Sequence, residues 1–169
     1  MSGGRRMMSF DRLAARIGER MIARGLMLAC AESCTGGWIA KCVTDVAGSS
    51  AWFDRGFVTY SNAAKEEMLG VAADTLVRHG AVSRAVVEEM VAGALARSRA
   101  QVALAVSGIA GPGGGTPDKP VGTVWIAWGL SGRAVLSRVY GFDGDRDSVR
   151  RETVRVALER LQDLLAEDG

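Results

Sequence analysis

The sequence predicts an α/β protein, specifically a three-layer α/β/α sandwich around a mixed, mostly parallel sheet. Three observations lead there. Segments of helical period alternate with short apolar strands along the chain. Residues 102–106 (VALAV) form a continuous apolar run of the kind buried on both faces of a sheet. The last two strand-like runs, 121–130 and 134–142, flank Ser131-Gly132-Arg133, whose length and glycine suit a hairpin, so at least one strand runs antiparallel.

Taken in order, Ser9 caps a helix whose apolar positions Leu13, Ile17, Met21 and Ile22 recur at helical spacing, and Gly25 stands just past its end. Residues 27–31 form a short strand that runs into Glu32-Ser33-Cys34-Thr35-Gly36-Gly37, and helical periodicity resumes over 38–46. A second strand is expected over 56–60. Ser61 then caps a short helix to Leu69 that carries Lys65 in its opening turns, and Ser83 caps a longer helix over 84–99. Strand 102–106 delivers a second glycine-rich loop beginning at Ser107, and Asp145 or Asp147 starts the last helix, through Leu165. No repeat, linker or compositional shift divides the chain, so residues 9–169 are read as one domain behind a flexible tail at 1–8.

Composition excludes several classes. No apolar run is long and uncharged enough to span a membrane, and the first residues lack the apolar stretch of a secretory signal, so a cytoplasmic protein is expected. A net charge of +2 is too small to argue for a nucleic-acid partner. Cys30, Cys34 and Cys42 are an odd, crowded set without a neighbouring histidine, which reads as reduced, mostly buried thiols and gives no metal site.

Scarcity narrows the catalytic candidates: the chain has one histidine and three lysines. His79 precedes Gly80 where a helix ends, a structural position near a helix C-terminus. A nucleophilic serine would then need another base, and lysine is the natural substitute once burial or nearby cations lower its pKa. Lys41 and Lys119 sit in polar surroundings. Lys65, following an apolar strand beside Tyr60-Ser61-Asn62, is the better placed. The turns at 33–37 and 107–115 combine hydroxyls with glycines that let a ligand approach the backbone, as a phosphate or an oxyanion requires. Neither is a P-loop. Cys34, near a helix N-terminus, is a rival nucleophile.

The strings AESCTGGWIAK at 31–41, AGSSAWFDRGFVTYSNAAKEEMLGV at 47–71, HGAVS at 79–83, SGIAGPGGGTPDKPVGTVWIA at 107–127 and GDRD at 144–147 closely resemble the CinA C-terminal domain family. The resemblance spans roughly residues 9 to 165. It implies an α/β/α fold and, for the stand-alone members, hydrolysis of the nicotinamide mononucleotide carboxamide to nicotinate mononucleotide and ammonia, without metal or cofactor, in pyridine-nucleotide salvage. A family nucleophile fifteen residues before the lysine base falls on Ser50, with Lys65 as base and Tyr60 between them; Ser49 is the immediate alternative. The arginine of GDRD, Arg146, is expected on the substrate anion together with Ser33, Thr35 and Gly36, and Ser107 and Gly108 cradle a second polar group of the nucleotide. A homo-oligomer, dimer or higher, is expected. The rival reading is a nucleotide-binding or protein-interaction module linked to competence or DNA damage.

Overall fold

A computed structural model describes residues 7–167 of the 169. Of the tail expected at 1–8, the first six residues lie outside the described ones. Helix α1 (Phe10–Ala23) is followed by β1 (Leu28–Glu32), α2 (Trp38–Thr44), a single 3-10 turn (Ser49–Ala51), β2 (Phe53–Val58), α3 (Asn62–Leu69), α4 (Ala73–His79) and α5 (Arg84–Ala96). Then come β3 (Val102–Gly108), β4 (Thr123–Leu130), β5 (Leu136–Gly141) and α6 (Arg146–Glu167). The expected serine caps are present: the hydroxyls of Ser9, Ser61 and Ser83 accept from the N–H groups of Arg12, Ala64 and Val86.

The five strands form one sheet in the order β2-β1-β3-β4-β5. β1 pairs parallel with β2 and β3, whereas β4 is antiparallel to both β3 and β5. The mixed sheet is as the sequence predicts, with four strands running one way and β4 opposed.

Alternation along the central strands sorts side chains by size. Leu28, Cys30, Val102, Leu104, Val106, Ile126 and Trp128 pack against α1, α2 and α6. Their neighbours Ala31, Ala103, Ala105 and Ala127 face α5, with Leu69 of α3 and Leu76 of α4 completing that layer. A face of alanines lets α5 approach closely. At Gly129 of β4 a Cβ would overlap Val91 of α5, and at Gly93 of α5 a Cβ would overlap the carbonyl oxygen of Leu69. The second contact packs α3, which carries Lys65, tightly against α5.

Two elements differ from expectation. α4 ends at His79 with Gly80 as its cap, as the sequence predicts, but its start carries no signal: of its seven residues only Leu76 is buried, too few apolar positions for a periodic pattern. β2 starts at Phe53 rather than 56, because the polar pair Asp54-Arg55 lies on an edge strand, where charges are tolerated.

Gly93→Ala is expected to cost about 1–3 kcal/mol, because the obstacle is backbone rather than a movable side chain. Chemical denaturation would show it. A variant as stable as the wild type would mean that α3 and α5 can separate without penalty.

Candidate active site

The site lies at the carboxyl ends of the parallel strands β1, β2 and β3. In an α/β sheet the loops diverge there and leave a crevice. It is a cavity of about 320 Å³ lined by Ser33, Tyr60, Asn62, Lys65, the Ser107–Gly114 loop and Arg146, among others.

The end of β1 divides two consecutive residues between the faces of the sheet. Glu32 follows Cys30 toward the α2 side, and Ser33 turns to the other side, under α3. There the Ser33 hydroxyl meets Lys65 Nζ at 3.0 Å. The Ser33 N–H is anchored on the Val106 carbonyl of β3, so the serine is positioned by the sheet itself.

Lys65 is 1% exposed. Its Nζ also donates to the carbonyl of Thr59 at 2.9 Å and to that of Tyr60 at 3.2 Å, where the chain leaves β2. No acidic side chain pairs with it among the described residues, and burial lowers its pKa below the ordinary lysine value. The three oxygens accept the three N–H donors of an ammonium, and once Nζ is neutral its two N–H groups keep the carbonyls while its lone pair takes the hydroxyl proton.

Arg146, the first residue of α6, bridges the mouth of the cavity. Its guanidinium donates to the Gly111 carbonyl at 2.7 Å and to the Tyr60 hydroxyl at 3.3 Å. Tyr60 is 64% exposed, so it lines the opening rather than filling the core. Ser107 and Gly108 end β3 on the cavity floor.

Ser50 is not there. Ser49 and Ser50 belong to the 3-10 turn before β2, whereas Lys65 and its carbonyl partners follow β2. β2 runs parallel to β1 and has six residues, which puts roughly 20 Å of strand between the serine pair and the lysine. Neither serine lines the cavity. The fifteen-residue spacing therefore joins opposite ends of β2, and the hydroxyl beside Lys65 is that of Ser33.

Thr35 and Gly36 also fall outside the cavity. Thr35 is wholly buried, with its hydroxyl 2.6 Å from Glu32 Oε1. Gly36 sits on a separate depression beside Trp38 and Arg150. Both glycines of this turn have positive φ, +58° at Gly36 and +105° at Gly37, which side-chain-bearing residues rarely adopt. Their role is to reverse the chain after Ser33.

Cys34 lines the cavity, but burial pushes its thiol up to about 11, so it is a poor nucleophile at neutral pH. His79 ends α4 with Gly80 as its cap, and its carbonyl accepts from Lys119 Nζ at 2.7 Å. Among the described residues no three His, Cys, Asp or Glu side chains gather closely enough to hold a metal ion. Sequence reasoning missed Glu32 and Asn62. Glu32 lies inside the quoted AESCTGG string, and a glutamate closing an otherwise apolar strand was the available signal.

The pattern of the CinA C-terminal domain family matches residues 10–165. The nicotinamide-nucleotide amidohydrolase PncC of Escherichia coli K12 is 55% identical over 149 residues, covering 88% of this chain and 90% of that protein. The protein of the same name from Pseudomonas putida is 56% identical, covering 90% and 94%. A crystal structure of a competence/damage-inducible protein from Agrobacterium tumefaciens superposes with a TM-score of 0.87 at 51% identity, over 91% of this chain and 97% of that one. Another, from Klebsiella pneumoniae, gives 0.91 at 44% identity over 94% and 98%.

A lysine whose native pKa is lowered binds its proton more weakly folded than unfolded. Stability therefore rises with pH between the lowered native value and about 10.4, where the unfolded lysine titrates. Relative to Lys65→Met, the wild type is expected to gain up to about 1.4 kcal/mol per pH unit within that window and nothing below it. Urea denaturation of both proteins at several pH values measures the difference. A difference independent of pH would show that Lys65 keeps an ordinary pKa.

Proposed function

The chain belongs to the CinA C-terminal domain family, and on that premise we propose that it is a nicotinamide-nucleotide amidohydrolase in which Ser33 is the nucleophile and Lys65 its base. The observation that carries the reading is the 3.0 Å contact between Ser33 Oγ and a buried Lys65 Nζ whose other partners are both carbonyls.

The chemistry runs in two halves. Ser33 Oγ attacks the carboxamide carbon of nicotinamide mononucleotide as its proton passes to Lys65. The tetrahedral intermediate collapses with cleavage of the C–N bond, and Lys65 returns the proton to the departing nitrogen, which leaves as ammonia. Water then attacks the ester, giving its proton to Lys65. Collapse frees the carboxylate of nicotinate mononucleotide and restores the Ser33 hydroxyl.

The oxyanion falls to backbone N–H groups. Those of Cys34 and Thr35, directly after the nucleophile, donate to no backbone carbonyl among the described residues. Arg150 Nε binds the Cys34 carbonyl at 3.0 Å from the α6 side. In a planar trans peptide this turns the Thr35 N–H the opposite way, away from α6. Such preorganised donors are commonly a large part of catalysis.

Arg146 recognises the phosphate. It is a guanidinium at the cavity mouth whose present partners are one carbonyl and one hydroxyl, both exchangeable for phosphate oxygens. Tyr60 borders the ring, and Ser107 and Gly108 offer polar contacts on the floor. The reading includes a place in pyridine-nucleotide salvage, in the cytoplasm, within a homo-oligomer, with no nucleic-acid partner.

Purified protein is expected to release ammonia from nicotinamide mononucleotide, with or without EDTA. Ser33→Ala should lower kcat by about a thousandfold or more, whereas Ser50→Ala should stay within about threefold of wild type. Loss in Ser50→Ala with retention in Ser33→Ala would reverse the assignment. No release by the wild type would favour the nucleotide-binding module.

A further inference from the structure

The serine–lysine chemistry leaves one buried charged residue without a task. Glu32 immediately precedes Ser33 and is 1% exposed. Its Oε1 accepts from the Thr35 hydroxyl at 2.6 Å and the Ile39 N–H at 2.8 Å. Its Oε2 accepts from the Ala40 N–H at 3.1 Å and the Cys30 thiol at 3.8 Å. Every neighbour is a donor, which is the environment of an acceptor-only carboxylate. It forms no ion pair among the described residues.

A residue needed only to fill this space would be apolar, since burying a carboxylate is costly unless its hydrogen bonds do something an apolar side chain does not. What these bonds join is specific. The side chain ties the middle of the 33–37 turn, through Thr35, to the first turn of α2, through Ile39 and Ala40. Its main-chain carbonyl accepts from the Thr59 N–H at 2.8 Å, and the Thr59 carbonyl is one of the two that hold Lys65. Glu32 therefore touches both the nucleophile turn and the lysine's support while contacting neither reacting group.

We propose that Glu32 is the positioning residue of this site. Its carboxylate locks the 33–37 turn so that the Ser33 hydroxyl faces the Lys65 lone pair and the Cys34 and Thr35 N–H groups stay free for the oxyanion. The role rests on the Ser33–Lys65 reading and deepens it. Misplacing a nucleophile by a fraction of an ångström to an ångström slows bond formation far more than it weakens binding. The signature is thus a fall in kcat at nearly constant KM.

The experiment uses Glu32→Gln, which keeps one acceptor oxygen but sets an amide N–H₂ against a backbone donor, and Thr35→Val, which keeps shape and removes the hydroxyl donor. Three quantities are measured for each: kcat and KM for nicotinamide mononucleotide, the rate at which a fluorophosphonate labels Ser33, and Tm. Val43→Ala, on the buried face of α2 itself, serves as a variant destabilised without touching the turn.

Each turn variant is expected to lose about tenfold to a hundredfold in kcat with KM within about threefold, and to label more slowly in parallel. The double variant should be no slower than Glu32→Gln alone, because both changes break one network. Val43→Ala should lose Tm and keep kcat. Wild-type kcat and labelling in Glu32→Gln would overturn the proposal, as would a kcat loss no greater than that of Val43→Ala at matched Tm. Should Glu32→Gln fail to fold, Thr35→Val decides by the same criteria. Turnover retained by Ser33→Ala would overturn the dyad itself, whereas an inert Ser33→Ala beside an unimpaired Glu32→Gln would overturn only the role of Glu32.

Discussion

A lysine amine sealed from water against two carbonyls and one hydroxyl is the constraint on which this structure turns. A solvated ammonium is a poor base at neutral pH, and one paired with a carboxylate is poorer still. Lys65 avoids both conditions at 1% exposure, without an acidic partner among the described residues. Keeping it there asks much of the fold. α3 must pack tightly against α5, which needs the close contact of Gly93 with Leu69, and the chain leaving β2 must present two successive carbonyls to one nitrogen.

The sheet meets those demands through alternation. Large side chains fill one face and alanines the other, so α5 and α3 come close on the side where the lysine is needed. At the end of β1 the same alternation sends the Glu32 carboxylate to the α2 side and the Ser33 hydroxyl to the lysine. Because β1 lies between β2 and β3 and runs parallel to both, three carboxyl ends meet at one end of the sheet. They bring together Thr59 and Tyr60, Ser33, and the loop that begins at Ser107. Arg146 arrives separately, as the opening residue of α6, and links the Tyr60 hydroxyl to the Gly111 carbonyl across the mouth.

The assignment of Ser50 shows what chain spacing leaves out. Ser50 and Lys65 are fifteen residues apart, a separation compatible with contact if the intervening segment folds back on itself. Six of those residues form an extended strand instead, which sets the two at opposite ends of it. Ser33 is thirty-two residues from Lys65 and touches it, because a parallel pairing carries β1 alongside β2 and aligns their ends. Thr35 teaches the complementary lesson. A hydroxyl in a glycine turn looks available to a ligand in one dimension, but here it is wholly buried and spent on Glu32.

By itself the sequence determined the fold class, three of the helix caps and the hairpin, and it pointed to Lys65 as the one of three lysines that the structure buries. These follow from local patterns: the periods of helices and strands, the hydrogen-bonding habits of serine, and the polarity of the residues flanking each candidate. Its motifs also marked Tyr60, Ser107, Gly108 and Arg146, which the cavity brings together. Only the tertiary structure decided which serine meets the lysine, where Thr35 points, and that a buried glutamate ties the turn to the helix behind it. Those depend on strand register and on which face each residue takes at the end of β1. Both are properties of pairing between distant segments, and neither has a signature along a single chain.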